Sequence, residues 1–532
     1  MEFDFIIVGA GSAGCVLANR LTANGKYTVA ILEAGGKDTY PWIHIPVGYF
    51  KTMGNPKTDW SYETEPDPGL NGRSIKWPRG KVLGGSSSIN GLLYVRGQPE
   101  DYDGWRQLGN TGWSWEDVAP LFKRSEGYSG ESDDELRGRD GPLSVADTTV
   151  TREIVDRWID AAVNAGYKRN PDYNGADQEG VGLFQLTARN GRRCSSAVAY
   201  LNPAKSRQNL TVLTHCAVER LTFEGKRATG LIASHNGKQV TMTARREVIL
   251  SAGALASPQI LMVSGIGPGD HLREHGIEVL LESDGVGQNL QDHLQARPVW
   301  KCTTSTINTE VNNIFKQAMI AMQYAATRSG PMAMAASLGT GFLKTREDLD
   351  VPDIQFHIQP FSTDKMGTEA HSFDAFTASV LQLRPESAGH LELASPHMRD
   401  YPKIHPNYLA TKTDCDTIVE GIRIARRISQ VSPLTEVITE EYNPGPSIKD
   451  DDYDAILNWA RDNSTTIYHP TGTCKMGSDE MAVVDERLKV RGIEGLRVAD
   501  ASIMPLIVSA NTNAPSMMIG EKASDLVLED AI

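Results

Sequence analysis

The sequence predicts an α/β chain, α+β when taken whole, made of a discontinuous Rossmann-like dinucleotide domain and a second, sheet-based domain. Three observations predict this. The N-terminus runs strand, glycine turn, helix, strand. The middle of the chain alternates strand-like runs with polar loops. A buried strand and a helix return at the far C-terminus. At 532 residues the chain is also too long for one ordinary core. The expected boundaries are 1–150, 192–297 and 460–532 for the dinucleotide domain, and 151–191 and 298–459 for the second domain.

The first element is Phe5-Ile6-Ile7-Val8, a short buried-strand pattern. Gly9-Ala10-Gly11-Ser12-Ala13-Gly14 follows directly, then a helical stretch over 15–21 and a strand over 28–32 that ends on Glu33. The glycines serve a tight turn, close approach of backbone to a pyrophosphate, and close packing of helix on strand. The helix N-terminus offers free N–H groups to phosphate oxygens. Glu33 stands 19 residues beyond Gly14, where an acid meets a ribose hydroxyl pair. An acid there disfavours a 2′-phosphate. The motif does not choose between NAD and FAD.

Next, 41–78 is rich in Pro, Gly, Trp and Tyr and reads as a long irregular excursion over a ligand. The aromatics over 40–60 fit a substrate-access wall or plain packing equally well. A small-residue turn opens the stretch 79–97. Helices are expected over 113–125, 151–165 and 257–264. Short strands should fill 208–243, with turns at Glu224-Gly225 and Asn236-Gly237. Further strands are expected over 247–252, 354–358, 378–383 and 495–498, and the last helix from about Pro515.

Composition narrows the function classes. Net charge is −14, which disfavours nucleic acid and anionic lipid as partners. The six cysteines are scattered without metal-ligand spacing, so neither a disulfide framework nor a metal centre is expected. No apolar run reaches the roughly 18 residues of a spanning helix. The N-terminus shows no secretory signal pattern. Cytoplasmic residence is the expectation, with peripheral docking at the inner membrane left open.

Four blocks then carry a resemblance. They are the glycine turn with Glu33; Gly80-Lys81-Val82-Leu83-Gly84-Gly85-Ser86-Ser87-Ser88-Ile89-Asn90; Gly253-Ala254-Leu255-Ala256-Ser257-Pro258 running on to Gly267; and His469-Pro470-Thr471-Gly472-Thr473 with Asn511-Thr512-Asn513-Ala514-Pro515. Over essentially its whole length the chain resembles the glucose–methanol–choline (GMC) oxidoreductases. In texture it is most similar to bacterial alcohol, choline, sorbose and polyethylene-glycol dehydrogenases. The resemblance implies FAD rather than NAD, and a substrate domain on the exposed face of the flavin. It implies cofactor contacts from Gly9, Gly11, Ser12, Ala13, Gly14, Glu33 and Ala34. It adds Val82, Gly84, Asn90, Gly91, Leu92, Leu93, Tyr94 and Val218, and near the pyrophosphate and beyond Ala252, Tyr468, Asp500, Ala501 and Thr512. Some relatives attach flavin through a histidine where this chain has Ile89, so non-covalent FAD is expected.

Alcohol oxidation removes a hydroxyl proton and a hydride, and histidine is the natural base near neutral pH. By resemblance that base is His469, paired with Asn513 as the amide that donates to the substrate oxygen. Asn511 is the rival, with holding the turn as its other role. His293 matches a family block in a structural or flavin-shell role. The expected reaction is oxidation of a primary alcohol to the aldehyde, with electrons passing to a quinone-like acceptor. An oxygen-using oxidase, a flavin-containing hydroxynitrile lyase, a light-driven decarboxylase and a catalytically silent flavoprotein are the alternatives. With no carboxylate assigned to a quaternary ammonium, a neutral alcohol is favoured over choline.

Overall fold

The computed structural model describes residues 1–364 and 369–531. Strand Glu2–Val8 is the centre of a seven-stranded sheet. Its apolar end, Phe5 to Val8, pairs in parallel with Val29–Leu32 on one side and with residues 247–250 on the other. All four residues are buried, which explains an unbroken apolar run instead of an alternating one. Leu210–Leu213 extends the sheet beyond Val29–Leu32. On the other side, Lys238–Leu250 carries two neighbours along one edge. Its first half pairs with the antiparallel hairpin Cys216–Glu224 and Arg227–His235, and its last three residues pair with Leu496–Val498.

The two ends of the chain meet on this sheet. Helix Ser12–Thr22 packs along helix Asn513–Asp530. Gly520 makes the approach possible, since a Cβ there would stand 2.8 Å from the Ala13 carbonyl oxygen. The fully buried Glu521 accepts from Arg20 Nη2 at 2.7 Å and from the Tyr200 hydroxyl at 3.0 Å. An unpaired buried carboxylate is costly, so this pairing helps fix the C-terminal helix in place.

The second sheet has eight antiparallel strands. Its main order is Ile438–Asn443, Val299–Cys302, Ala375–Gln382, Ile354–Gln359, Gly339–Leu343, Gly180–Leu183. Helix Lys412–Ser429 covers one face. Thr411 caps it by accepting from the Asp414 N–H. Ile418, Ile422 and Ala425 recur at helical spacing on its buried side, and Gly421 lets it sit against Val380. Each sheet centres its own apolar core.

Several boundaries move. Leu294–Ala296 and Thr465–Thr466, expected in the dinucleotide domain, pair with each other and extend the second sheet beside Ala375–Gln382. Helix Gly253–Val263 begins four residues before the expected 257, because its first N–H donates to the Asp500 carboxylate at 2.8 Å. The last helix begins at Asn513, two residues before Pro515, which occupies the tolerated first turn. The stretch 41–78 holds short helices Pro41–His44 and Tyr49–Thr52, and pairs Tyr62–Glu63 with Lys76–Trp77. All six cysteines are free thiols. Among the described residues no helix is long and apolar enough to cross a membrane.

Candidate active site

A cavity of about 730 Å³ runs from the glycine turn to the edge of the second sheet, with Glu33 and His469 both in its wall. At the Glu33 end, the carboxylate accepts from the Ala10 N–H at 3.2 Å and the Gly35 N–H at 2.8 Å. Burial outweighs these bonds and pushes its pKa up to about 7, so further donors such as a ribose hydroxyl pair would stabilise the anion. Gly9 has φ +102°, and a Cβ there would lie 2.4 Å from the Ser251 carbonyl oxygen. Gly11 is the N-cap of helix Ser12–Thr22 and no side chain caps it, which leaves the first N–H groups for a ligand.

Most of the expected cofactor positions line this cavity: Gly9, Gly11, Ser12, Ala13, Glu33 and Ala34 at one end, Asn90, Gly91, Leu93, Val218 and Ala252 along it, and Tyr468, Asp500, Ala501 and Thr512. Five do not. Gly14 faces its own turn, where a Cβ would stand 2.0 Å from the Gly9 carbonyl oxygen, so its role is packing. Val82 and Gly84 hold the second loop against the first, through a bridge to Gly36 and an N–H donated to Ala10. Leu92 is buried at φ +66°. Tyr94 points into the core, where its hydroxyl accepts from Arg96. Arg193 escaped the sequence reading altogether. Buried without a carboxylate partner, it ties Ile43, Ser87 and Asn90 together, and burial lowers its pKa to about 9.

At the other end the chain turns sharply before His469. Tyr468 adopts φ +72°, a conformation that costs about 1–3 kcal/mol for a side chain of its kind. Several bonds hold it. Its N–H donates to Thr466 Oγ1 at 2.6 Å, and its carbonyl accepts from Arg79 Nη2 at 2.6 Å. Buried Asp292 accepts from the His469 N–H at 2.7 Å, from Thr466 Oγ1 at 2.5 Å and from the Tyr408 hydroxyl. Asp292 is thus a clamp that presents His469. Its pKa rises to about 6 through burial.

The tautomer of His469 follows from its neighbours. His293 Nε2 lies 3.0 Å from the Leu383 carbonyl oxygen, which only accepts, so Nε2 carries the proton. His293 Nδ1 is then an acceptor. His469 Nδ1, 2.9 Å away, must donate to it. His469 Nε2 is left with its lone pair facing the cavity. Burial and the nearby His293, His357 and Arg79 hold the His469 pKa well below the usual 6.5, so the ring is neutral at pH 7. His293 therefore touches His469 and orients its ring, a contact more specific than the structural or flavin-shell role expected for it. His357, which no sequence signal marked, lines the same wall.

Both candidate amides line the cavity, with different partners. Asn511 Nδ2 lies 3.1 Å from His469 Nε2. Asn513 lines the cavity too, but its Oδ1 accepts from Ser12 Oγ at 2.8 Å, at the start of the first helix. The turn ahead of the last helix thus points Asn511 at His469 and Asn513 at the glycine turn.

A sequence profile of the GMC oxidoreductases matches residues 3–295 and 385–520. The chain belongs to the GMC oxidoreductase family. It is 41% identical over 530 residues to the oxygen-dependent choline dehydrogenase of Brucella anthropi, covering 99% of this chain and 96% of that one. It is 40% identical over 529 residues to an alcohol dehydrogenase [acceptor] of Pseudomonas putida, with the same coverage. Among solved structures, pyridoxine 4-oxidase from Mesorbium loti superposes with TM-score 0.88 at 29% identity, covering 98% of both chains. A formate oxidase superposes with TM-score 0.90 at 28% identity, covering 99% of this chain and 98% of that one.

As a GMC family member the chain is an FAD-dependent oxidoreductase acting on CH–OH donors. The cavity fits that cofactor on its own terms. It has an uncapped helix N-terminus, a glycine-lined cradle, an acid short of donors at one end and a histidine at the other. Ile89 lines the wall and offers no nucleophile for a covalent link.

Proposed function

We propose that this GMC oxidoreductase oxidises a neutral primary alcohol to the aldehyde, holds FAD non-covalently, and passes electrons to a quinone-like acceptor. The observation that carries this reading is the unprotonated Nε2 of a neutral His469, which accepts from the Asn511 amide and belongs to the wall of the cavity that also holds the glycine turn. FAD, when bound, supplies the hydride acceptor. His469 Nε2 takes the hydroxyl proton. His293 keeps that nitrogen unprotonated at rest by accepting from Nδ1. The Asn511 amide donates to the oxygen as negative charge grows on it. The buried clamp at Asp292 holds the His469 backbone in place.

Burial holds His293 and His357 neutral, with pKa values of about 4 and about 3. Of the groups that lower the His469 pKa, only Arg79 therefore carries a charge. The Asp292 carboxylate that accepts the His469 N–H is itself occupied by Thr466 and Tyr408. Behind the wall, buried Arg297 has one nitrogen without a partner. Gln295, Gln359 and Ser337 add uncharged polar groups to this end. Such surroundings favour a neutral alcohol over a quaternary ammonium. Choline is the second reading, supported by the likeness to choline dehydrogenases. The acceptor reading rests on the likeness to the Pseudomonas putida enzyme.

Anaerobic mixing with a panel of primary alcohols and with choline tests both. Neutral alcohols should bleach the visible flavin band, and a soluble quinone should restore it faster than air does. Bleaching by choline alone would overturn the substrate reading, and rapid peroxide release in air would overturn the acceptor reading. No bleaching by any alcohol would favour a lyase.

The histidine also sets a pH profile. A base is active when unprotonated, and a lowered pKa keeps it so in more acidic solution. The acid limb of kcat/KM, which reports the free enzyme, should therefore fall with an apparent pKa below 6.5. A limb centred at 7 or above would contradict the assigned surroundings of His469.

A further inference from the structure

A hairpin outside the cavity gathers three metal-ligating groups. His390–Glu392 pairs antiparallel with Lys403–His405, with His390 opposite His405. His390 and Glu392 are two residues apart and share a face, and His405 joins them across the ladder. The two rings stack at 4.6 Å with 15° between their planes. His390 Nε2 lies 3.4 Å from one Glu392 oxygen, and His405 Nε2 lies 3.8 Å from the other. One ligand atom from each residue falls within 4.8 Å of the others. His405 Nε2 is itself buried and has no hydrogen-bond partner.

We propose that His390, Glu392 and His405 form a binding site for a borderline divalent cation such as Zn²⁺. Zinc at about 2.0–2.1 Å from each ligand in a tetrahedron sets neighbouring ligand atoms about 3.3–3.4 Å apart, so the 3.8 Å separation of His405 from Glu392 must close and the stacked rings must turn their nitrogens toward a common point on binding. Two neutral imidazoles and one carboxylate suit zinc better than Mg²⁺ or Ca²⁺, which take oxygen ligands. His271 is nearby but not a ligand, because its Nε2 accepts the Leu393 N–H at 2.9 Å. Lys403, opposite Glu392, is exposed and can swing into solvent.

The position gives the site a consequence. The hairpin is the stem of the loop 393–402, which brings Met398, Arg399 and Tyr401 to the cavity wall. The Tyr401 ring lies 4.7 Å from that of Tyr62 and 6.1 Å from that of Trp60, both also in the wall. A cation held by both strands would pin the stem of a loop that lines the cavity.

The test uses the flavin-loaded protein, freed of metal by chelator and dialysis, and titrated with Zn²⁺. One Zn²⁺ per chain should bind saturably and raise the melting temperature. His390→Ala and His405→Ala should weaken binding by at least about tenfold, the lower end of what even an outer-sphere partner contributes. Glu392→Gln, which keeps the shape, should weaken it too, while His397→Ala on the exposed loop should not. Zn²⁺ should also slow amide exchange over 393–402 in the parent and not in His405→Ala. Absence of saturable binding, or equal affinity in parent, Glu392→Gln and His405→Ala, would overturn the proposal.

Discussion

Replacing His469 with alanine is expected to slow flavin reduction by alcohol about 10²–10⁴-fold, the usual contribution of a general base, while FAD stays bound. The cavity explains why the two effects separate. The cofactor cradle is built at the glycine turn, Glu33 and the loop at 80–90, and none of these leans on the imidazole. The base is presented by a different set, the Asp292 clamp and the strained Tyr468 turn. Single-turnover reduction under anaerobic conditions reads the chemical step, and the visible absorption of the purified protein reads cofactor content. Near-parental reduction would remove His469 from the role of base. Loss of flavin instead of rate would assign it to cofactor binding.

Local signals in the sequence carried the first half of the fold. Strand, turn, helix, strand and Glu33 sit in one short stretch, and each constrains the next, so their register alone placed the cofactor end. His469 stood out in the sequence because a proline follows it and a family block surrounds it, and it does line the cavity. What the sequence hid was set by contacts between distant segments. Gly253–Val263 begins early because of Asp500, 247 residues on. Leu294–Ala296 joins the second sheet because Ala375–Gln382 leaves it an open edge. His293 earns its role from a carbonyl at Leu383 and an imidazole at position 469, neither near it in the chain. His357 sits in a strand whose pattern says only that it is buried. Which of two asparagines faces a base depends on the backbone of one tight turn, which spacing does not report.

That ambiguity yields the second large prediction. Asn511→Ala should cut the rate of flavin reduction about 10²–10³-fold, the cost of losing one donor to a developing oxyanion. Asn511 Nδ2 is 3.1 Å from His469 Nε2, so a substrate oxygen that gives its proton to this nitrogen must come within reach of the same amide. Asn511 Oδ1 is buried without a partner among the described residues, and the second N–H of the amide nitrogen remains to donate to that oxygen. Asn513 is differently employed. Its Oδ1 already takes the Ser12 hydroxyl hydrogen, so Asn513→Ala breaks a tie between the first and last helices. It should weaken FAD retention more than it slows reduction of the flavin that remains. Measuring both quantities in both variants distinguishes the assignments, because each predicts an opposite ranking. If Asn513→Ala shows the larger loss of rate at full flavin occupancy, the amide that serves the substrate oxygen is Asn513 after all. In that case the contact between Asn511 and His469 only positions the ring, and Asn511→Asp or Asn511→Gln would then alter the pH profile while leaving the maximal rate close to that of the parent.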